Sequence, residues 1–175
     1  MSAQKIFDGL LVLQYRTGNK KALSQLVKRH HKNMCAQAYW YTKNSDVSED
    51  IVQDCWGIIM NKLEGLREPN SFGSWALRIV TRKSLDYVNR NAKQVKQRKT
   101  ETFVDDDESD GFNEDKRQDV RNAIARLPEE QQIVLRLFYT QEYALKEISE
   151  ILEISVGTVK SRLFHAREKL KTILK

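Results

Sequence analysis

Apolar residues recur three and four positions apart through most of the chain, and no stretch alternates apolar and polar in a period of two. That pattern predicts an all-α protein. A first helix spans residues 3–16, with Ile6, Leu10, Leu13 and Tyr15 turned inward. Thr17-Gly18-Asn19 breaks it, and a second helix runs from Lys20 to Thr42 with Leu23, Leu26, Val27 and His30 on one side. After the break at Asn44-Ser45-Asp46, Asp46 and Glu49 have the spacing of a capping box for a third helix that reaches Leu63. Its buried stripe is Val52, Trp56, Ile59 and Leu63, opposite a polar face of Asp50, Gln53, Asp54, Gly57 and Asn61. Residues 65–73, around Pro69-Asn70-Ser71, read as a loop. A fourth helix from Ser74 to Lys96 is apolar at Trp75, Ile79 and Leu85 and basic at Arg78, Arg82, Lys83 and Arg90.

Periodicity then fails over residues 97–116, where Asp105-Asp-Asp-Glu-Ser-Asp110 sits in an apolar-poor stretch. Dense like charge with little to bury favours a flexible linker. The pattern therefore divides into an N-terminal helical bundle over residues 1–96, an acidic linker, and a C-terminal domain over residues 117–175. In the latter, Val120, Ile124 and Leu127 form one helix, and Pro128-Glu129-Glu130 opens the next with Pro and acids where a helix start favours them. Two short helices follow, joined by a tight turn. The last is apolar at Val159, Leu163, Ala166 and Leu170, and carries Lys160, Ser161, Phe164, His165 and Lys171 outside. A short helix, a turn and a second helix with a basic, hydroxyl-bearing outer face form a helix-turn-helix suited to the major groove of DNA.

Charge sharpens this picture. The net charge is +6, but it is unevenly placed: 18 Lys/Arg against 8 Asp/Glu in residues 1–99, 2 against 9 in residues 100–119, and 10 against 7 in residues 120–175. Two basic blocks around an acidic segment suggest two polyanion-binding modules. Cys35 and Cys55 lack metal spacing and fall in helices, so buried free thiols are expected. No nucleophile elbow, phosphate-cradling loop, paired-carboxylate signature or zinc spacing is present, so no catalysis, cofactor or metal is assigned. His30 and His31 read as structural. With no apolar signal core and no long apolar run, a cytoplasmic protein without membrane insertion is expected.

Three motifs occur in order: Ser48-Glu-Asp-Ile-Val-Gln-Asp-Cys-Trp56; Phe72-Gly-Ser-Trp-Ala-Leu-Arg-Ile-Val80 through to Arg90; and Leu127-Pro-Glu129 with Glu147-Ile148 and Val156-Gly-Thr-Val-Lys-Ser-Arg-Leu163. Together they resemble bacterial sigma factors of the extracytoplasmic-function class, over essentially the whole chain. The resemblance implies an alternative sigma factor that binds core RNA polymerase through its β′ and β subunits, directs it to promoter DNA, and is held in check by a separate anti-sigma factor. It makes Asp50, Gln53 and Asp54 the polymerase contact. It gives the promoter −10 element to Asn70, Ser71 and Phe72 of the loop and to Arg78, Arg82, Lys83 and Arg90, with Lys93, Lys96, Arg98 and Lys99 extending the charge. The loop would capture an unpaired base, although Phe72 reads more simply as a core anchor.

The same resemblance gives the −35 element to Ser155, Thr158, Lys160, Ser161, Arg162, Phe164 and His165. Phe164, aromatic on a polar face, would touch a thymine methyl or be covered by a partner. Three departures stand out. Arg82 replaces a common Asn, His165 replaces a common Arg, and Glu153 replaces the Gly common in the turn, where a residue with a side chain implies either slight strain or a different turn geometry. The competing interpretation is a helix-turn-helix factor that binds duplex DNA without polymerase.

Overall fold

The computed structural model describes residues 2–91 and 114–174. They form two compact units, all helical, with no strand among the described residues. The acidic run, the end of the fourth helix after Asn91, and Lys93, Lys96, Arg98 and Lys99 lie outside the described residues.

The first unit holds α1 (Ala3–Arg16), α2 (Lys20–Thr42), α3 (Ser45–Lys62) and α4 (Phe72–Asn91), with short 3-10 turns at Leu63–Gly65 and Pro69–Ser71. Side-chain caps start the first three helices. Ser2 accepts from the Lys5 N–H and Asn19 from the Lys21 N–H. Asn44 Oδ1 accepts from the Val47 N–H at 3.0 Å, so Asn44 rather than Asp46 is the cap of α3. The core is Leu11, Val12, Leu26, Met34, Val52, Cys55, Trp56, Ile59, Leu63, Phe72, Leu77 and Val80. Inside it, Gln37 Nε2 donates to Thr81 Oγ1 at 3.0 Å, satisfying two buried polar groups across α2 and α4.

Two helices present other faces than their patterns suggest. In α1 the inward residues are Asp8, Gly9, Leu11 and Val12, while Ile6, Leu10 and Leu13 are exposed and Tyr15 is half-buried. Asp8 decides this. Its carboxylate accepts from Arg29 Nε at 2.7 Å and His30 Nε2 at 2.9 Å. Burial raises the Asp8 pKa, but the bonds and charges of His30 and Arg29 outweigh that and hold it below the usual carboxylate value. In α4 the buried residues are Phe72, Ala76, Leu77, Val80, Thr81 and Ser84. Trp75 and Ile79 are only half-buried, and Leu85 is exposed.

Both cysteines are free thiols. Cys55 is fully buried and its pKa is pushed up to about 12 by desolvation. Cys35 is half-buried, its pKa raised by burial and by Glu49. A thiol reagent at neutral pH is therefore expected to modify Cys35 first and Cys55 only on unfolding. Two equally fast native thiols, counted by mass spectrometry, would contradict the packing of α3.

The second unit holds α5 (Glu114–Ala125), α6 (Glu129–Leu135), a π turn at Arg136–Thr140, α7 (Leu145–Leu152) and α8 (Val156–Ile173). Its first helix thus begins at Glu114, three residues before the expected domain start. Ala123 in it and Leu127 just after it are buried, whereas Val120 is exposed. Leu137, Ile148, Ile151, Val159, Leu163 and Ala166 complete the core, with Leu170 half-buried. Among the described residues no helix is long and apolar enough to cross a membrane.

Candidate nucleic-acid interface

On α3, Asp50, Gln53, Asp54, Gly57 and Asn61 are all exposed, and Val52, Trp56 and Ile59 are buried behind them. At about 100° per residue, Asp50, Gln53 and Asp54 share an arc of about 100°. The helix is held by its buried side: Trp56 Nε1–H donates to His31 Nδ1 at 3.3 Å, and Trp56 stacks near Phe72 with ring centroids 6.3 Å apart. The acidic and amide groups therefore stand on a rigid backing.

Phe72 does not line a loop pocket. It is wholly buried as the first residue of α4, edge-on to the His30 ring at 5.0 Å and 6.1 Å from Trp75. The core reading of this residue is the correct one, because the helix starts two positions earlier than its pattern suggests. Asn70 and Ser71 lie half-buried in the 3-10 turn just before it. Ser71 Oγ donates to the Glu68 carbonyl at 2.7 Å, and Ser74 Oγ to that of Ser71 at 3.0 Å.

The turn is seated directly on α1. A Cβ on the buried Gly9 would lie 2.0 Å from Asn70 Oδ1 and 3.2 Å from the Asn70 backbone nitrogen. The Asn70 side chain could swing aside, but the second distance still requires the turn to shift. Gly9→Ala is accordingly expected to destabilise the first unit by about 2 kcal/mol, as overpacking does. Urea unfolding measures this; an unchanged midpoint would mean that the turn is not fixed by this contact. Arg16 closes the other end of the same loop by donating to the Leu63 and Leu66 carbonyls.

The outer arc of α4 carries Arg82, Lys83 and Arg90, exposed, and Arg78, half-buried. Arg78 and Arg82 lie about 40° apart around the helix, and Lys83 and Arg90 about 20° apart, with about 80° between the two pairs. Trp75 and Ile79 fall in the gap between those pairs. Sequence reasoning gave both to the core; their half-exposure within a basic arc adds Trp75 to the candidate surface as a stacking group. Only its spacing relative to the arginines could have signalled this.

In the second unit, α7, the turn Glu153-Ile154-Ser155 and α8 form the helix-turn-helix. The Ala144 N–H donates to Glu147 Oε2 at 2.8 Å at the start of α7; Ala144 itself has no side-chain acceptor to return the bond. Glu153 has φ of 56°, in the left-handed region, as the departure from Gly implies. Replacing it with Gly is expected to raise the stability of this unit by about 1 kcal/mol. A lowered thermal midpoint would show that the Glu153 side chain contributes more than the strain costs.

Ser155 caps α8: its Oγ accepts from the Thr158 N–H at 3.0 Å, and the two hydroxyls are 2.8 Å apart. These hydroxyls are thus engaged with each other, and the open first-turn N–H groups are those around the exposed Gly157. Lys160, Ser161, Phe164 and His165 are all exposed. Phe164 is 59% exposed and packs edge-on to His165 at 5.5 Å. Arg162 is different: its guanidinium is bonded to Glu130 of α6 at 2.8 Å and is turned onto its own unit. Arg167 Nε donates to the exposed Tyr139 hydroxyl at 2.8 Å, next to the outer face.

Two all-helical units, one bearing a polar face beside a basic arc and the other an exposed recognition helix, define a DNA-binding protein built for more than one macromolecular partner. Residues 26–94 match the family described as Sigma-70 region 2, and residues 117–170 that described as Sigma-70, region 4. The chain is 25% identical over 182 residues to the ECF RNA polymerase sigma-E factor of Haemophilus influenzae, spanning 97% of this chain and 96% of that one. It is 28% identical over 153 residues to the RNA polymerase sigma factor SigV of Bacillus subtilis, spanning 87% and 90%. Its fold is shared with CnrH, solved in complex with the cytosolic domain of CnrY (TM-score 0.63, 24% identity, 96% of this chain and 97% of that one). It is shared too with the sigma factor RpoE of Bartonella quintana, solved in complex with the anti-sigma factor NepR (TM-score 0.69, 19% identity, 88% and 97%). The chain belongs to the sigma-70 family, in its extracytoplasmic-function class: it is an alternative sigma factor that directs transcription initiation, and not an enzyme.

Proposed function

We propose that the two units divide promoter recognition between them. The first, assigned to residues 1–96, holds core polymerase through Asp50, Gln53 and Asp54, facing the β′ subunit with β nearby. It meets the −10 element through the turn at Asn70-Ser71 and the basic arc of Arg78, Arg82, Lys83 and Arg90. The second, assigned to residues 117–175, meets the −35 duplex through Lys160, Ser161, Phe164 and His165 and the open N–H groups at the start of α8.

The observation that carries this is the pairing, within one small unit, of an exposed acidic face on α3 with a basic arc on α4. An acidic face repels DNA phosphates and suits a basic protein partner, while the arc attracts them. Trp75, half-exposed between the basic pairs, supplies a face on which an unstacked base can rest, and unstacking costs a few kcal/mol that such contacts offset. The recognition itself is the mechanism; polymerase performs the chemistry.

Two relatives by fold are known in complexes with a partner chain, CnrY and NepR. We infer that an anti-sigma factor likewise restrains this protein, and that it acts in the cytoplasm, where polymerase is. Permanganate footprinting of a promoter with core polymerase tests the division of labour. Reactive thymines at −10 that need both this protein and polymerase support it. Duplex protection by the protein alone, with no melting, would favour a conventional helix-turn-helix factor.

A further inference from the structure

Beyond the polymerase and DNA faces, α1 presents an apolar row to solvent. Ile6, Phe7, Leu10 and Leu13 are each 45 to 51% exposed. Ile6, Leu10 and Leu13 follow i, i+4, i+7 spacing, a single ridge about 10 Å long. The helix cannot simply roll to bury them. Asp8, on its other side, is bonded to Arg29 and His30, and Gly9 is closed over by Asn70. Arg16 ties the far end to the Leu63 and Leu66 carbonyls.

The flanking helix α2 is cationic. Asp8 is the only acid in residues 2–45, and its carboxylate is spent inside. Lys20, Lys21, Lys28, Arg29 and Lys32 are exposed on the adjoining α2, and Arg29 lies 4.9 Å above the Phe7 ring.

We propose that this face of α1 docks an amphipathic helix of a partner protein, one whose apolar ridge is rimmed by Asp and Glu. A ridge one helix wide fits the groove of another helix, and the exposed lysines of the adjoining α2, a helix without an acidic residue, call for an anionic rim on it. A second copy of this chain would set cations against cations, so pairing of like faces is opposed. Nucleic acid would use the cations and leave the apolar row wet. A bilayer would be met by a wider apolar arc than the four residues here. The face is separate from Asp50, Gln53 and Asp54, since α1 packs on α2, α4 and the Pro69–Ser71 turn, whereas α3 packs on α2 and α4.

The test uses the full chain and two designed helical peptides with the same apolar ridge, one rimmed by Glu and one by Lys, followed by fluorescence anisotropy. The comparison protein carries Leu10→Gln and Leu13→Gln, exposed positions whose change should leave the thermal melt intact. Saturable binding of the Glu-rimmed peptide alone, weakened about tenfold or more in the variant, with methyl shifts at Ile6, Leu10 and Leu13, is the expected result. Equal binding of both peptides, or equal binding to the variant, overturns the proposal. So does failure of both peptides to bind. Binding to phosphatidylglycerol vesicles that the variant loses, without peptide binding, would assign the face to a membrane; a dimer that the variant dissolves would assign it to a second copy.

Discussion

Reversing the charge of Asp50 and Asp54 together, to Lys, is expected to weaken binding to core polymerase about 100-fold, close to 2.7 kcal/mol. Both side chains are exposed on the outer arc of α3, away from its buried stripe. The buried stripe of Val52, Trp56 and Ile59 and the Asn44 cap are untouched. The helical melt should therefore match the parent protein while polymerase affinity collapses. An electrostatic contact of this kind also predicts that the parent's affinity falls with added salt and that of the variant falls less. Unchanged affinity with an intact melt would move the polymerase contact to another face.

Lys160→Ala combined with Phe164→Ala is expected to lower transcription from promoters with a −35 element about 100-fold. Each contact to a groove contributes about 1–3 kcal/mol. Lys160 should account for the salt dependence, its loss reducing the salt slope by about 1. Phe164 should account for base preference, since it stands 59% exposed at the outer face of α8. Arg162→Ala is the informative contrast. Its guanidinium is engaged by Glu130, so its loss should act on the stability of the second unit before it acts on DNA. A double variant with an unchanged −35 footprint would show that a different face reads the duplex.

Helix number, the α3 stripe and the outward set on α8 were all legible from spacing, because each depends on local periodicity alone. The face of α1 was not. Leu10 to Leu13 is a continuous apolar run, so two rotations of the helix look equally good from within it. The choice is made by Asp8, whose partners Arg29 and His30 lie about twenty residues away on another helix. Phe72 was ambiguous for a similar reason: whether it opens a helix or lines a loop depends on the turn that Gly9 allows to sit on α1. The Arg162–Glu130 ion pair was not legible either, because helical spacing cannot reveal that Glu130 reaches it. At Glu153 the sequence left strain or a different turn geometry open, and its positive φ decides for strain.

Transcription by core bacterial RNA polymerase on a pooled promoter library, with and without this protein, tests the division of labour between the two units most directly. The account predicts discrete start sites that appear only with the protein and share two elements. Loss of the upstream element should remove the effect of Lys160 and Phe164 substitutions, and loss of the downstream one should remove initiation. Start sites that share no upstream element, or no initiation despite a folded protein and an active control factor, would contradict it.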